Sequence, residues 1–194
     1  RRQMRSNKPH RPQPNGLTMR PVFLIFCEGI TEEHYIHMLQ RFYRAQIRVI
    51  THVEGQSICQ NTIRKQKEKI RVKPNEIVET FLMYDLDVEE VNKKLLECDA
   101  IPLFSNPCVE LWFLLHSKDH RTAISTDEVI RELKKSDAVW RSYEKGDFTI
   151  TQKQVLWNNR LEAVKRAKLL KNLNNPSSGI YILIEKLEKL HDCT

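Results

Sequence analysis

Glycine is scarce in this sequence, five in 194 residues, and none of the five belongs to a Walker-type phosphate loop. Any ATP-driven step would therefore have to come from another protein. No apolar run approaches the length that crosses a bilayer, and no signal peptide is visible. The five cysteines (Cys27, Cys59, Cys98, Cys108 and Cys193) form no close-spaced pair, which argues against a zinc site or a disulfide framework. They read as reduced thiols, and the expected setting is the cytoplasm. Acids are missing from the first twenty residues. Arg1, Arg2, Arg5, Lys8, Arg11 and Arg20 give this arm +6 of the net charge of +7, leaving +1 for everything after it. With Pro9, Pro12 and Pro14 and little apolar content, residues 1–20 are expected to be extended. They serve either as a nucleic-acid-binding arm or as a solubilising tail.

What remains suits one α/β domain with an appendage, and shows no internal repeat. The stretch Val22–Tyr35, VFLIFCEGITEEHY, organises it. Six apolar residues in a row read as a strand buried on both faces. Glu28 marks its exit from the core, and Gly29 is expected to permit a sharp turn. Thr31 is the expected N-cap of a helix whose first turn holds Glu32 and Glu33, where the helix dipole favours acids. Glu28 is either a solvated loop acid or a site residue at the carboxyl end of a strand.

Charge is segregated along the chain. Arg41 to Lys73 holds nine Lys or Arg against Glu54 and Glu68, whereas Glu76 to Glu90 holds six acids and no base. A strand is expected over 47–53 and a basic-faced helix over 57–72, broken by Pro74 and Asn75. The next strand, IVETFLMYDLD, again runs into acids, with Asp85 and Asp87 on one side by strand periodicity. Parallel strands joined by right-handed crossovers would bring Glu28, Asp85 and Asp87 to one edge. Carboxylates gathered there repel unless a cation neutralises them, and hard oxygen donors suit Mg²⁺ or Mn²⁺.

In AIPLFSNPCVELWFLLH, a short strand ends near Phe104, and a helix follows with Glu110 in its early turns. A carboxylate in so apolar a helix must be paired or bind something. His116 reads as a proton shuttle or ligand, or as a satisfied structural histidine. Further on, Ser125 and Glu128 form an expected capping box for a helix to about Lys135, and 137–143 a short helix. Residues 155–170 form an expected amphipathic helix with Leu161, Val164, Ala167 and Leu170 inward and Arg160, Lys165, Arg166 and Lys168 outward. A polar turn over 172–179 precedes a last helix over 180–190. Lys145 is either a phosphate-contacting lysine or an exposed loop lysine.

Three motifs carry a resemblance: C-E-G-x-T-E-x-x-Y at Cys27–Tyr35, D-x-D at Asp85–Asp87, and S-N-P-C-x-E-L-W-x-L-L-H at Ser105–His116. Together they resemble the RloB-like proteins, which include the second component of the AbiL abortive-infection system. The likeness extends through Tyr143-Glu144-Lys145, the helix around Ala163–Ala167, and Pro176–Leu187. It implies a TOPRIM-like, mostly parallel sheet flanked by helices over 21–120, and a helical C-terminal part over 121–194. Glu28 matches the TOPRIM glutamate, and Asp85 and Asp87 its D-x-D; Glu32 and Glu110 match acids particular to the RloB pattern. The chain departs from the pattern in four places. The interval after D-x-D is short, no glycine closes that motif, Val109 replaces an expected aromatic, and Ser178-Gly179 stand where threonine is expected.

The resemblance implies a metal-dependent nuclease of bacterial anti-phage defence, with RNA, including tRNA, ahead of DNA. Glu28, Asp85 and Asp87 would hold Mg²⁺ or Mn²⁺, helped by Glu32 or Glu110, with Lys145 on phosphate charge. An ATPase from the same operon is the expected partner, and a higher oligomer is open. The alternative is a non-catalytic binding or regulatory module that partners the ATPase; a phosphoacceptor domain using Asp85 is a third reading.

Overall fold

A computed structural model describes residues 21–71 and 76–192 of the chain. The basic arm, the Pro74–Asn75 helix breaker and Cys193 lie outside the described residues. The elements run β1 (Val22–Cys27), α1 (Ile30–Tyr43), β2 (Ile47–Ile50), α2 (Gln60–Lys69), β3 (Val78–Met83), α3 (Glu89–Leu96) and β4 (Ile101–Pro102). After them come β5 (Ser105–Asn106), α4 (Glu110–Ser117), α5 (Thr126–Ser136), α6 (Ile150–Asn158), α7 (Arg160–Lys168), β6 (Ser177–Ser178) and α8 (Tyr181–Asp192). The fold is α/β, with a helical C-terminal part.

The four-stranded sheet is parallel throughout, in the order β2-β1-β3-β4. The chain leaves β1 for one neighbour and later returns to the other. The order thus reverses at β1, and a crevice opens at the carboxyl ends of β1 and β3. Their register sets Cys27 beside Met83, so Glu28 and Asp85 emerge at the same edge. Beyond β4 the chain keeps step with the end of β3. Ser105 N–H donates to Tyr84 O at 3.0 Å, and Leu86 N–H to Ser105 O at 2.8 Å. Asp85 therefore sits inside a bridge with Ser105 rather than in a free loop.

Strand alternation sorts the core into two layers. Phe23, Ile25, Cys27, Phe81 and Met83 point into a large cluster with Tyr35, Trp112, Phe113, Trp140 and the inner faces of α7 and α8. Leu24, Phe26, Leu82 and Tyr84 point the other way, against Ile58, Ile63 and Leu95 under α2 and α3. The C-terminal helices thus complete the first layer. β6 also pairs antiparallel with β5, tying residues 177–178 to 105–106.

Several local expectations are corrected. Residues 155–170 form two helices, not one, because the chain breaks at Asn159, whose side chain donates to His116 O at 3.1 Å. Leu161 is 48% exposed instead of inward. Arg160 is drawn inward by Glu188, to which its Nε donates at 2.6 Å, and stacks on Trp157. Arg166 likewise turns in, donating to Leu115 O at 2.7 Å. Residues 137–143 hold only a single 3₁₀ turn, Ala138–Trp140. The capping box of Ser125 and Glu128 is present as expected. Among the described residues, no helix is long and apolar enough to cross a membrane.

Candidate active site

The first turn of α1 does not start as its sequence suggests. Gly29, not Thr31, is the N-cap; its backbone is extended (φ −111°, ψ 166°), and the chain bends at Glu28–Gly29 as expected. Its lack of a side chain has another use. A Cβ on Gly29 would stand 2.6 Å from Oε2 of Glu32, so glycine leaves room for that carboxylate. Thr31, the second residue of the helix, is buried, and its Oγ1 accepts the N–H of Gly146 at 2.9 Å. Gly146 itself has φ +109°, a conformation L side chains rarely adopt. These contacts pin the loop 143–147, from the C-terminal part, over the edge of the sheet.

That loop supplies the partners of Glu110. The carboxylate of Glu110 is 1% exposed, at the start of α4 in the most apolar helix of the protein. Its Oε1 accepts the Tyr143 hydroxyl at 3.1 Å and lies 3.6 Å from Lys145 Nζ. Its Oε2 is buried with no hydrogen-bond partner among the described residues. Lys145 is more than half exposed, so it bridges the buried acid and solvent. Burial works against its charge, but Glu110, Cys108 and Asp85 outweigh that and hold its pKa above the ordinary lysine value.

Asp85 follows β3 with the parity of Phe81 and Met83, and so faces the layer that holds α1 and α4. Its carboxyl is pushed well above the usual range, first by burial and then by the negative charges of Glu32, Glu110 and Asp87. Glu32 is raised too, mainly by burial and next by Glu110, with Lys145 offsetting part of this. The same field reaches Cys27, whose buried thiol is pushed up to about 12, with Glu32 and Glu33 adding to burial. Asp85, Glu32 and Glu110 are thus mutually unfavourable, and among the described residues Lys145 is the one cation that offsets them.

The exposed acids are arranged differently. Glu28 leaves β1 with the opposite parity and accepts the Gly55 N–H at 3.3 Å, while its charge still acts on Glu32. Asp87 is exposed, and its charge is felt at Asp85. The structure therefore brings Asp85, Glu32, Glu110 and Lys145 into one electrostatic group, with Glu28 and Asp87 on its rim. Among the described residues, no three His, Cys, Asp or Glu side chains already stand together as a metal-holding set.

His116 has a partner for one of its two ring nitrogens, and its Nε2 has none among the described residues. It is buried, Nδ1 pairs with Trp112 O at 2.8 Å, and burial lowers its pKa to about 4. Sequence reasoning gave no role to Tyr143, and assigned Thr31 to the wrong task. The Tyr-x-Lys-Gly spacing at Tyr143–Gly146 was the available signal, since a glycine beside a lysine in a loop permits a close approach.

The model of the family described as RloB-like protein matches residues 23–187, a span that includes every one of these acids and the Lys145 loop. No curated protein and no solved structure matches the chain. The chain belongs to the RloB-like protein family.

Proposed function

We propose that this protein is a metal-dependent nuclease that hydrolyses phosphodiester bonds, in RNA ahead of DNA, within an anti-phage system. The observation that carries the proposal is the unpartnered Oε2 of Glu110, a fully buried carboxylate oxygen grouped with two further acids whose pKa values are raised. A buried acceptor without a donor costs about 1–3 kcal/mol, more if charged, and is retained where something binds. The donor chemistry fits a hard divalent cation, because every candidate ligand is a carboxylate oxygen. Asp85, Glu28 and Asp87 would hold Mg²⁺ or Mn²⁺, with Glu110 and Glu32 as supporting acids. When bound, the ion would supply Lewis-acid polarisation of the scissile phosphate.

The chain's own residues have definable tasks in that reading. Lys145, more than half exposed and anchored at Glu110, offers a cation to a phosphate oxygen. Glu32, with its pKa raised by burial, is suited to accept a proton from attacking water. Tyr143 and the Thr31–Gly146 hydrogen bond hold the lysine loop in place. The defence setting and an ATPase partner are supported by the three-motif resemblance.

The test is cleavage of end-labelled single-stranded RNA, tRNA and duplex DNA with Mg²⁺, Mn²⁺ or EDTA, alone and with the ATPase. Wild type is expected to cut in the presence of metal, and Asp85→Asn not to. Calorimetric metal binding without cleavage under any of these conditions would instead identify a binding module.

A further inference from the structure

On the far side of the 143–147 loop from the acids lies a groove of about 670 Å³. His34, His37, Arg41 and Phe42 form one wall, and Asp147 and Lys153 the other. The α1 residues follow helical spacing, and Thr31 opens the same stripe one turn earlier. Since Thr31 accepts the Gly146 N–H, one loop separates the two places, aiming Lys145 at Glu110 and Asp147 at His34.

Two features of the groove point to its ligand. Arg41 is exposed, and among the described residues it makes no ion pair or hydrogen bond. Lys153 and His34 share Asp147 at 4.0 and 3.7 Å, which leaves Arg41 as the unspent cation. The next residue, Phe42, is 39% exposed, yet its orientation is fixed. Its ring stacks on Trp157 at 4.7 Å and 10°, and the Arg160 guanidinium lies 3.8 Å from the Trp157 centroid. A rigid aromatic face beside a free guanidinium suits a base and its phosphate.

We propose that this groove holds the single-stranded nucleic acid flanking the scissile phosphate, with a base on Phe42 and a phosphate on Arg41. The proposal rests on the nuclease reading for the position of the scissile bond, though binding in the groove does not itself require cleavage. From His34 to Arg41 the helix rises about 10 Å, room for about three stacked nucleotides at 3.4 Å each. Every base has an aromatic face, so selection is for unpaired bases rather than for sequence. A duplex keeps those faces stacked within itself and cannot offer them to Phe42.

The full chain is titrated in EDTA, where cleavage cannot contribute, against fluorescein-labelled ten-nucleotide single-stranded RNA, the same sequence in DNA, and the RNA duplex. Wild type is expected to bind either or both single strands more tightly than the duplex by anisotropy, and the ratio of the two identifies the preferred sugar. Arg41→Glu and Phe42→Leu should each weaken single-strand binding by about fivefold or more. Leucine keeps the contact with Trp157 but offers no stacking face, and exposed Arg41 tests the groove without touching the core. No binding by wild type, a preference for duplex, or equal affinity of Arg41→Glu and wild type would overturn the groove. Loss of cleavage in the metal assay with binding intact would overturn the nuclease reading alone.

Discussion

At the C-terminal end of α1, the carboxylate of Glu188 accepts hydrogen bonds from both Tyr43 and Arg160, and Arg160 is sandwiched against Trp157. Burial alone would raise the pKa of Glu188, but these partners outweigh it and hold the group below the usual carboxylate range. At the N-terminal end of the same helix, Glu32 faces Glu110 and Asp85 with Lys145 as their one cation among the described residues, and Glu32 and Asp85 are pushed up. One helix thus joins a polar cluster that satisfies itself to one that does not. The first reads as a structural clamp between α1, α7 and α8. The second stores unfavourable charge that the fold has no reason to keep unless a cation or substrate uses it.

The sharpest break between the two ends comes from neutralising one acid at the N-terminal one. Asp85→Asn should lower metal-dependent cleavage by at least ~100-fold, the scale of losing one electrostatic element of a phosphoryl-transfer site. Without metal it should leave the fold as stable as wild type or slightly more so, because it removes one member of a repelling set. Cleavage rates and urea unfolding in EDTA measure both. Full activity of a correctly folded Asp85→Asn protein would move the chemistry elsewhere.

Arg160→Ala should show the reverse. It leaves Glu188 and Tyr43 without their cation, at a cost of roughly 2–4 kcal/mol in unfolding free energy, below the full cost of breaking a completely buried pair. Once folded, its kcat on a short substrate should match wild type. A loss of kcat with unchanged stability would mean that the clamp is part of the site.

The two ends also predict opposite pH dependence. Asp85 and Glu32 have folded pKa values raised above their ordinary 3.8 and 4.5. The stability they contribute is complete below those ordinary values and is lost as pH rises through the raised ones. Glu188 is lowered, so its contribution is present above 4.5 and is lost as pH falls through the lowered value. Urea midpoints in EDTA from pH 3 to 8 should therefore decline less steeply above pH 4 in Asp85→Asn. In Glu188→Gln the acid-side loss should flatten instead. Slopes that change together in both variants would erase the distinction.

Much of the acid cluster around Asp85 and Glu110 was legible in sequence because its parts are local. An uninterrupted apolar run located β1 and a largely apolar stretch β3, and the acid after each had to sit at a strand end. Glu110 announced its need for a partner through the apolar residues around it. The identity of that partner was not legible, because Tyr143 lies 33 residues away and meets Glu110 only through tertiary packing. Arg160 shows the same limit in the Glu188 clamp. Periodicity places it outward among lysines, but Glu188, 28 residues later, draws it in. Thr31 fits a cap by composition; its hydroxyl was instead taken by Gly146, 115 residues on.

That last hydrogen bond yields the smallest and most discriminating prediction. Thr31→Val keeps the shape of the side chain and removes the acceptor for the Gly146 N–H, which is then buried without a partner. The expected cost is about 1–2 kcal/mol in stability, less than for Arg160→Ala. A structural bond would do no more than that. If the loop positions Lys145 for substrate, Thr31→Val should also lower kcat several-fold while leaving Mg²⁺ affinity unchanged, because no metal-holding acid moves. Thr31→Ser retains the hydroxyl and should restore kcat, even if its missing methyl costs some stability. Parallel urea unfolding, metal titration and kcat on short RNA separate the cases. Lost stability with wild-type kcat would make the loop a brace for Glu110 and remove Lys145 from the chemistry.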